Sequence, residues 1–247
     1  MQKEPIKERY NFKRRIVMLL FIFIAMPGTL LISWKFGDRR YYLCSLLLIM
    51  YAMVPFFASF ERRRPEAREL VTIAVMSAIA VASRAAFMMV PFFKPITGII
   101  MITGMAFGPE AGFLTGALRG FVSNFIFGQG PWTPWQMFAF GIAGFLAAVL
   151  TGKGLIGKEK RIATSVTGGV IVMLIIGPIL DTCTLFTMSS SINWTSAAGI
   201  YLSGLPVNLV HAAATILTLF VLEKPMLEKL DRIKIKYGMM GGEEDAV

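Results

Sequence analysis

The chain has 247 residues, of which 55% are hydrophobic and only 16% charged, with a mean hydropathy of +0.65. A soluble chain carries about 25% charge, so a soluble globular domain is excluded, and the net charge of +10 is better explained by basic edges against anionic lipid headgroups than by nucleic acid. Apolar runs of about 20 residues, enough to cross a bilayer, recur along the sequence and predict an all-α polytopic membrane protein of about eight spans.

Residues 1–60 begin with a basic segment, followed by apolar runs at about 16–34 and 41–60, read as a two-span hairpin. The first run is a full span with no small-residue cleavage pattern after it, so it is expected to stay in the mature protein. The two spans hold hardly any polar residues, which suits packing or partner docking better than a functional site. Residues 61–68, in the run ERRRPEARE, form a charged linker. Beyond it lies a six-span body over 69–222, with spans at about 69–90, 95–107, 109–127, 135–151, 162–187 and 197–222, and a charged tail over 223–247. The 95–107 run is short and abuts the next at Gly108-Pro109, so it is read as a tilted or incomplete span.

Small residues pattern the body. Ala74, Ala78, Ala82 and Ala86 form a stripe on its first span, suited either to packing within the bundle or to docking a separate membrane partner. Gly104, Gly108, Gly112, Gly116 and Gly120 recur every four residues, and on a helix such spacing lets a neighbouring backbone approach closely. Close packing inside the bundle is the expectation for the glycines. The segment Gly128 to Gln136, GQGPWTPWQ, then interrupts the apolar runs with two prolines, two tryptophans and two glutamines and no charge. Tryptophans at a membrane interface can simply anchor a helix. Lipid anchoring does not call for Gln129 and Gln136, however, and an aromatic surface with amides beside it suits a flat or bulky apolar ligand.

Polar residues within the spans are Arg84, Arg119, Asn124, Asp181, Asn208 and His211. Each is costly in lipid unless paired. Asp181 is therefore expected either to pair with Arg84 or Arg119 or to meet a ligand, and His211 to be a satisfied donor of the core. Cys44 and Cys183 have no metal-ligand spacing and read as free apolar thiols.

Lys and Arg set the orientation. With the N-terminus inside, nineteen of the 25 fall on the inner side, in residues 3–15, 62–68, 153–161 and 224–236. Both termini are predicted cytoplasmic, and the tryptophan loop exterior. Residues 152–159, GKGLIGKE, approach a phosphate-binding loop, but Glu159 stands where Ser or Thr would hold magnesium, and no strand precedes it. No nucleophile elbow, HExxH or paired carboxylates occur. The sequence thus predicts neither an enzyme nor an ATPase, and it calls for no metal or cofactor.

An Ala-rich first span, a second ending in FGPEAG, the stripe GFLTGALRG and the loop GQGPWTPWQMFAFG together resemble the substrate-binding S components of energy-coupling factor (ECF) transporters, over about residues 69–222. The strongest motif is Arg119 to Gly144. The resemblance implies a six-helix, S-component-like bundle in a prokaryotic cell membrane, here preceded by the extra hairpin. Such a subunit captures a vitamin or related micronutrient from outside, and is thought to topple in the membrane to release it. A membrane coupling subunit and two cytoplasmic ATPases work with it, so ATP is used by partners. Docking would map onto Ala74, Ala78 and Ala82, and ligand binding onto Asn124, Gln129, Trp132, Trp135, Gln136, Asp181 and Asn208. The GPWTPWQ loop looks like that of S components for corrinoids, which makes a cobalamin-type ligand the leading expectation, with queuosine precursors, haem or another aromatic vitamin open. The alternative is a self-sufficient ion-coupled carrier or channel, with Asp181, Arg119 and His211 carrying the coupling.

Overall fold

The computed structural model describes residues 41–62, 67–157, 159–189 and 192–238; the predicted span at 16–34 lies outside them. Everything regular in the described residues is helical. Seven helices run in chain order: α1 Tyr41–Arg62, α2 Ala67–Ala86, α3 Ile96–Phe107, α4 Pro109–Phe127, α5 Trp132–Gly152, α6 Arg161–Met188 and α7 Trp194–Tyr237. The chain divides into two compact units, residues 1–55 and 56–247. The second unit begins a little before the charged linker, because Phe56 at the end of α1 stacks on Phe113 with ring centroids 4.0 Å apart, and Ser59 donates to Glu110 at 3.1 Å.

Helices α2 to α7 lie over the six apolar runs of the body. By length and composition α2, α5, α6 and α7 can each cross a membrane. The short run proves to be the centre of the bundle: of the twelve residues of α3, all but Met105 are buried. At 1.5 Å per residue α3 is about 18 Å long, well short of the roughly 30 Å apolar thickness of a bilayer. Its strong hydropathy reflects burial in protein, and its Ile99, Ile100, Met101 and Ile102 form the middle of the core with Phe107, Phe140, Ile176 and Leu219.

Two helix ends differ from the predicted spans. Apolar residues continue to Val90, but α2 stops at Ala86, since Pro91 and Pro95 lack the N–H a helix needs and push the residues before them out of helical geometry. Phe92 takes a left-handed φ of 58°, and Lys94 closes the turn by donating to the carbonyls of Phe87 and, at 2.8 Å, Val90. At the other end of the body, α7 runs for 44 residues, about 66 Å, through the predicted tail. It starts at a capping box between Asn193 and Ser196 and ends at Gly238, whose φ is 57°. Leu227 and Leu230 are buried, and Lys234 donates to the Ala106 carbonyl at 2.6 Å. From Glu223 to Lys236 the charged residues of the predicted tail sit on an amphipathic helix.

The glycine stripe packs α4 and α3 against α5. A Cβ at Gly112 would stand 2.6 Å from the Gly144 carbonyl oxygen and 2.7 Å from Gly104 Cα, and one at Gly120 would stand 3.0 Å from Met137 Cα. Backbone contact of this kind is available only to glycine. In α6, residues Val172–Ile176 form a π turn immediately before Gly177-Pro178, where the proline ring prevents regular α-helical bonding to the preceding turn.

Candidate ligand-binding site

The tryptophan end of the bundle is assembled from the last turns of α4, the loop 128–131 and the first turns of α5. Gly128, with φ 103°, ends α4, and Pro131 leads into α5. Asn124 is buried at this corner. It accepts from Arg84 Nη1 at 3.1 Å, and its Nδ2 donates to Thr133 Oγ1 at 2.9 Å and Gln136 Oε1 at 3.1 Å. Thr133 donates onward to Gln129 Oε1 at 2.8 Å, and Gln129 Nε2 donates to the Phe121 carbonyl at 3.1 Å. Arg84 also donates to Ser123 Oγ at 2.5 Å and lies 4.3 Å from the Phe127 ring centroid.

The amides of Asn124 and Gln129 are thus occupied in fixing the loop, whereas Gln136 contributes only its oxygen to the network. The sequence pointed to Asn124, Gln129 and Gln136 but not to Thr133, which bonds Asn124 and Gln129, or to Ser123, which accepts from Arg84. No helical spacing signals the Gln129–Thr133 contact, because Gln129 lies in the loop before α5.

The two tryptophans separate. Trp132 is 40% exposed, with its indole N–H 3.4 Å from the Gly128 carbonyl, while Trp135 is 8% exposed and tilts against Phe186 of α6 at 6.1 Å. Trp135 is thus the indole built into the bundle, and Trp132 the one at its surface. Trp135→Ala should weaken ligand binding by about 1–3 kcal/mol, and Trp132→Ala by less than about 1 kcal/mol, both measured by titrating the purified protein.

Asp181 and Asn208 form a second group where α6 meets α7. Asn208 Nδ2 donates to Asp181 Oδ2 at 2.9 Å. Each polar side chain lies over a glycine of the facing helix: a Cβ at Gly177 would meet Asn208 Nδ2 at 2.6 Å, and one at Gly204 would meet the Asp181 carboxylate. Close by, Thr182 and Tyr201 share a hydrogen bond of 2.7 Å. The expected pairing of Asp181 with Arg84 or Arg119 is not formed. Arg84 is turned toward Ser123 and Asn124, Arg119 lies over Phe140 at 4.4 Å, and Asp181 has Asn208. Helix azimuth decides this, and charge in the sequence does not report azimuth. His211 is half-buried, with Nε2 3.0 Å from Thr97 Oγ1.

No hydrogen bond joins the Asn124 network to the Asp181–Asn208 pair among the described residues; Trp135 against Phe186 is an aromatic contact between α5 and α6. A cavity of about 440 Å³ opens at the far end of the bundle, lined by Met105, Thr151, Ile156, Lys160, Leu227 and Asp231 among others. None of the predicted site residues borders it. On α2, Ala74, Ala78 and Ala82 are exposed together with Val71, Val75 and Ile79, opposite a buried face of Ile73, Met76, Ser77, Ala80 and Val81.

Four helices long and apolar enough to cross a membrane mark a multi-pass membrane protein. The sequence model of the family described as "ECF-type riboflavin transporter, S component" matches residues 65–227, and the chain belongs to that family. No solved structure matches it.

Proposed function

We propose that this chain captures riboflavin, or a closely similar flavin, at the tryptophan end of its bundle and delivers it to an energy-coupling module that spends ATP on its behalf. The family match over residues 65–227 carries the reading. It moves the ligand from the cobalamin type suggested by the loop sequence to a flat tricyclic ring, for which the apposed Trp135 and Phe186 offer aromatic surface. Gln136, Asp181 and Asn208 supply polar contacts, and Asn124 and Gln129 hold the loop in place. The tryptophan end faces the exterior and both termini face the cytoplasm, in keeping with the Lys and Arg distribution. The exposed ridge of Ala74, Ala78 and Ala82 docks the membrane coupling subunit, since small residues let a partner helix come close. The chain itself uses no cofactor and no ATP.

Reconstitution tests this. In liposomes holding the chain together with a coupling subunit and its two ATPases, riboflavin should accumulate only when ATP is supplied. Accumulation by the chain alone, driven by an ion gradient, would instead identify a self-sufficient carrier.

A further inference from the structure

Arg119 is the one buried cation whose donors the fold leaves unused among the described residues. It lies midway along α4, between Gly116 and Gly120, two of the glycines on which the α5 backbone packs closely. It is 2% exposed. The guanidinium lies over the face of Phe140, 4.4 Å from the ring centroid, and that contact satisfies no N–H. Nε and Nη1, which carry three of its five donors, have no hydrogen-bond partner. The nearby charge acting on it is a second cation, Arg84. A buried charge without partner or acceptor is strongly unfavourable, more so within a membrane bundle.

The surroundings indicate what the missing acceptor is. Phe140 also faces the His211 ring at 6.0 Å. His211 is three residues from Asn208 on α7, which makes them neighbours on one helix face, and Asn208 holds Asp181. A strip therefore runs from Asp181 through Asn208, His211 and Phe140 to Arg119, with opposite charges at its ends and aromatic rings between. The geometry points to Arg119 as the group that receives the acceptor edge, the carbonyl oxygens and ring nitrogens, of a flat heteroaromatic ligand. This rests on the flavin reading above and adds the residue that recognises the ring.

The test titrates the purified full chain with riboflavin and with lumichrome, the same ring system without its polyhydroxyl chain. Arg119→Met should weaken both by a similar factor, about 10- to 150-fold, as expected for losing hydrogen bonds from a charged donor. Its ligand-free thermal midpoint should hold or rise, because an uncompensated charge has been removed. Arg119→Gln, which keeps neutral donors, should bind with intermediate affinity, and it serves as the second variant if Arg119→Met does not fold. Unchanged affinity in a folded variant overturns the assignment, as does loss confined to riboflavin, which would put Arg119 on the chain rather than the ring. A lowered ligand-free midpoint with no effect on binding would make Arg119 a packing residue. If the folded wild type binds neither compound, the flavin reading falls and this assignment with it.

Discussion

Replacing Ala78 with tryptophan should abolish riboflavin uptake in cells while leaving binding to the purified protein unchanged. Ala74, Ala78 and Ala82 lie one turn apart on the exposed side of α2, flanked by Val75 at 50% and Ile79 at 42% exposure. An indole at the middle position keeps a partner helix from closing on the ridge, as small-residue interfaces require. The buried side of α2, from Ile73 to Val81, is untouched, so the bundle and its ligand site should be intact. A loss of about tenfold or more in association with the coupling subunit, about 1.4 kcal/mol, is expected in co-purification, together with loss of uptake. If Ala78→Trp destroys ligand binding as well, the ridge is part of the bundle's own packing and not a docking face.

The second large effect is on folding. Gly112→Val should prevent α3, α4 and α5 from assembling, because its first added carbon alone stands within 2.7 Å of backbone atoms on two neighbouring segments, the Gly144 carbonyl and Gly104 Cα. Backbone cannot rotate away as a side chain can, and overpacking of this kind costs about 3 kcal/mol or more. Gly152→Ala is the matched control, since nothing lies within 4 Å of its added carbon. Thermal unfolding in detergent should show the first variant poorly folded and the second close to wild type. Equal midpoints for both would mean that the glycine seam tolerates separation.

Some features of the bundle could be read from the sequence and some could not, for identifiable reasons. The apolar runs and the glycine spacing report burial and close packing directly, so the helices of the body and the α4–α5 seam were predictable. Hydropathy does not distinguish lipid from protein as the surrounding medium, and hence α3 looked like a short span rather than the centre of the core. It also hid the end of α2, where Pro91 and Pro95 outweigh the apolar Met88, Met89 and Val90, and the extension of α7, where Leu222, Met226, Leu227, Leu230 and Ile233 pack on the body beneath a charged face. At the candidate site the residue types were legible. Their partners were not, because an amide in the sequence does not say whether it faces a ligand or, like Gln129, the carbonyl of Phe121. The separation of Arg119 from Asp181 is of the same kind: both are visible, but only the rotation of α4 and α6 decides that each meets something else.

The central claim is that this chain alone holds a flavin, and fluorescence titration of the detergent-purified full chain with riboflavin tests it most directly, with cobalamin as the comparison ligand. The account predicts saturable one-to-one quenching of flavin fluorescence with a Kd below about 1 μM, more than about 8 kcal/mol of binding, weakened in Trp135→Ala and unaffected by cobalamin. Absence of quenching in protein shown to be folded, or displacement of riboflavin by cobalamin, would contradict it.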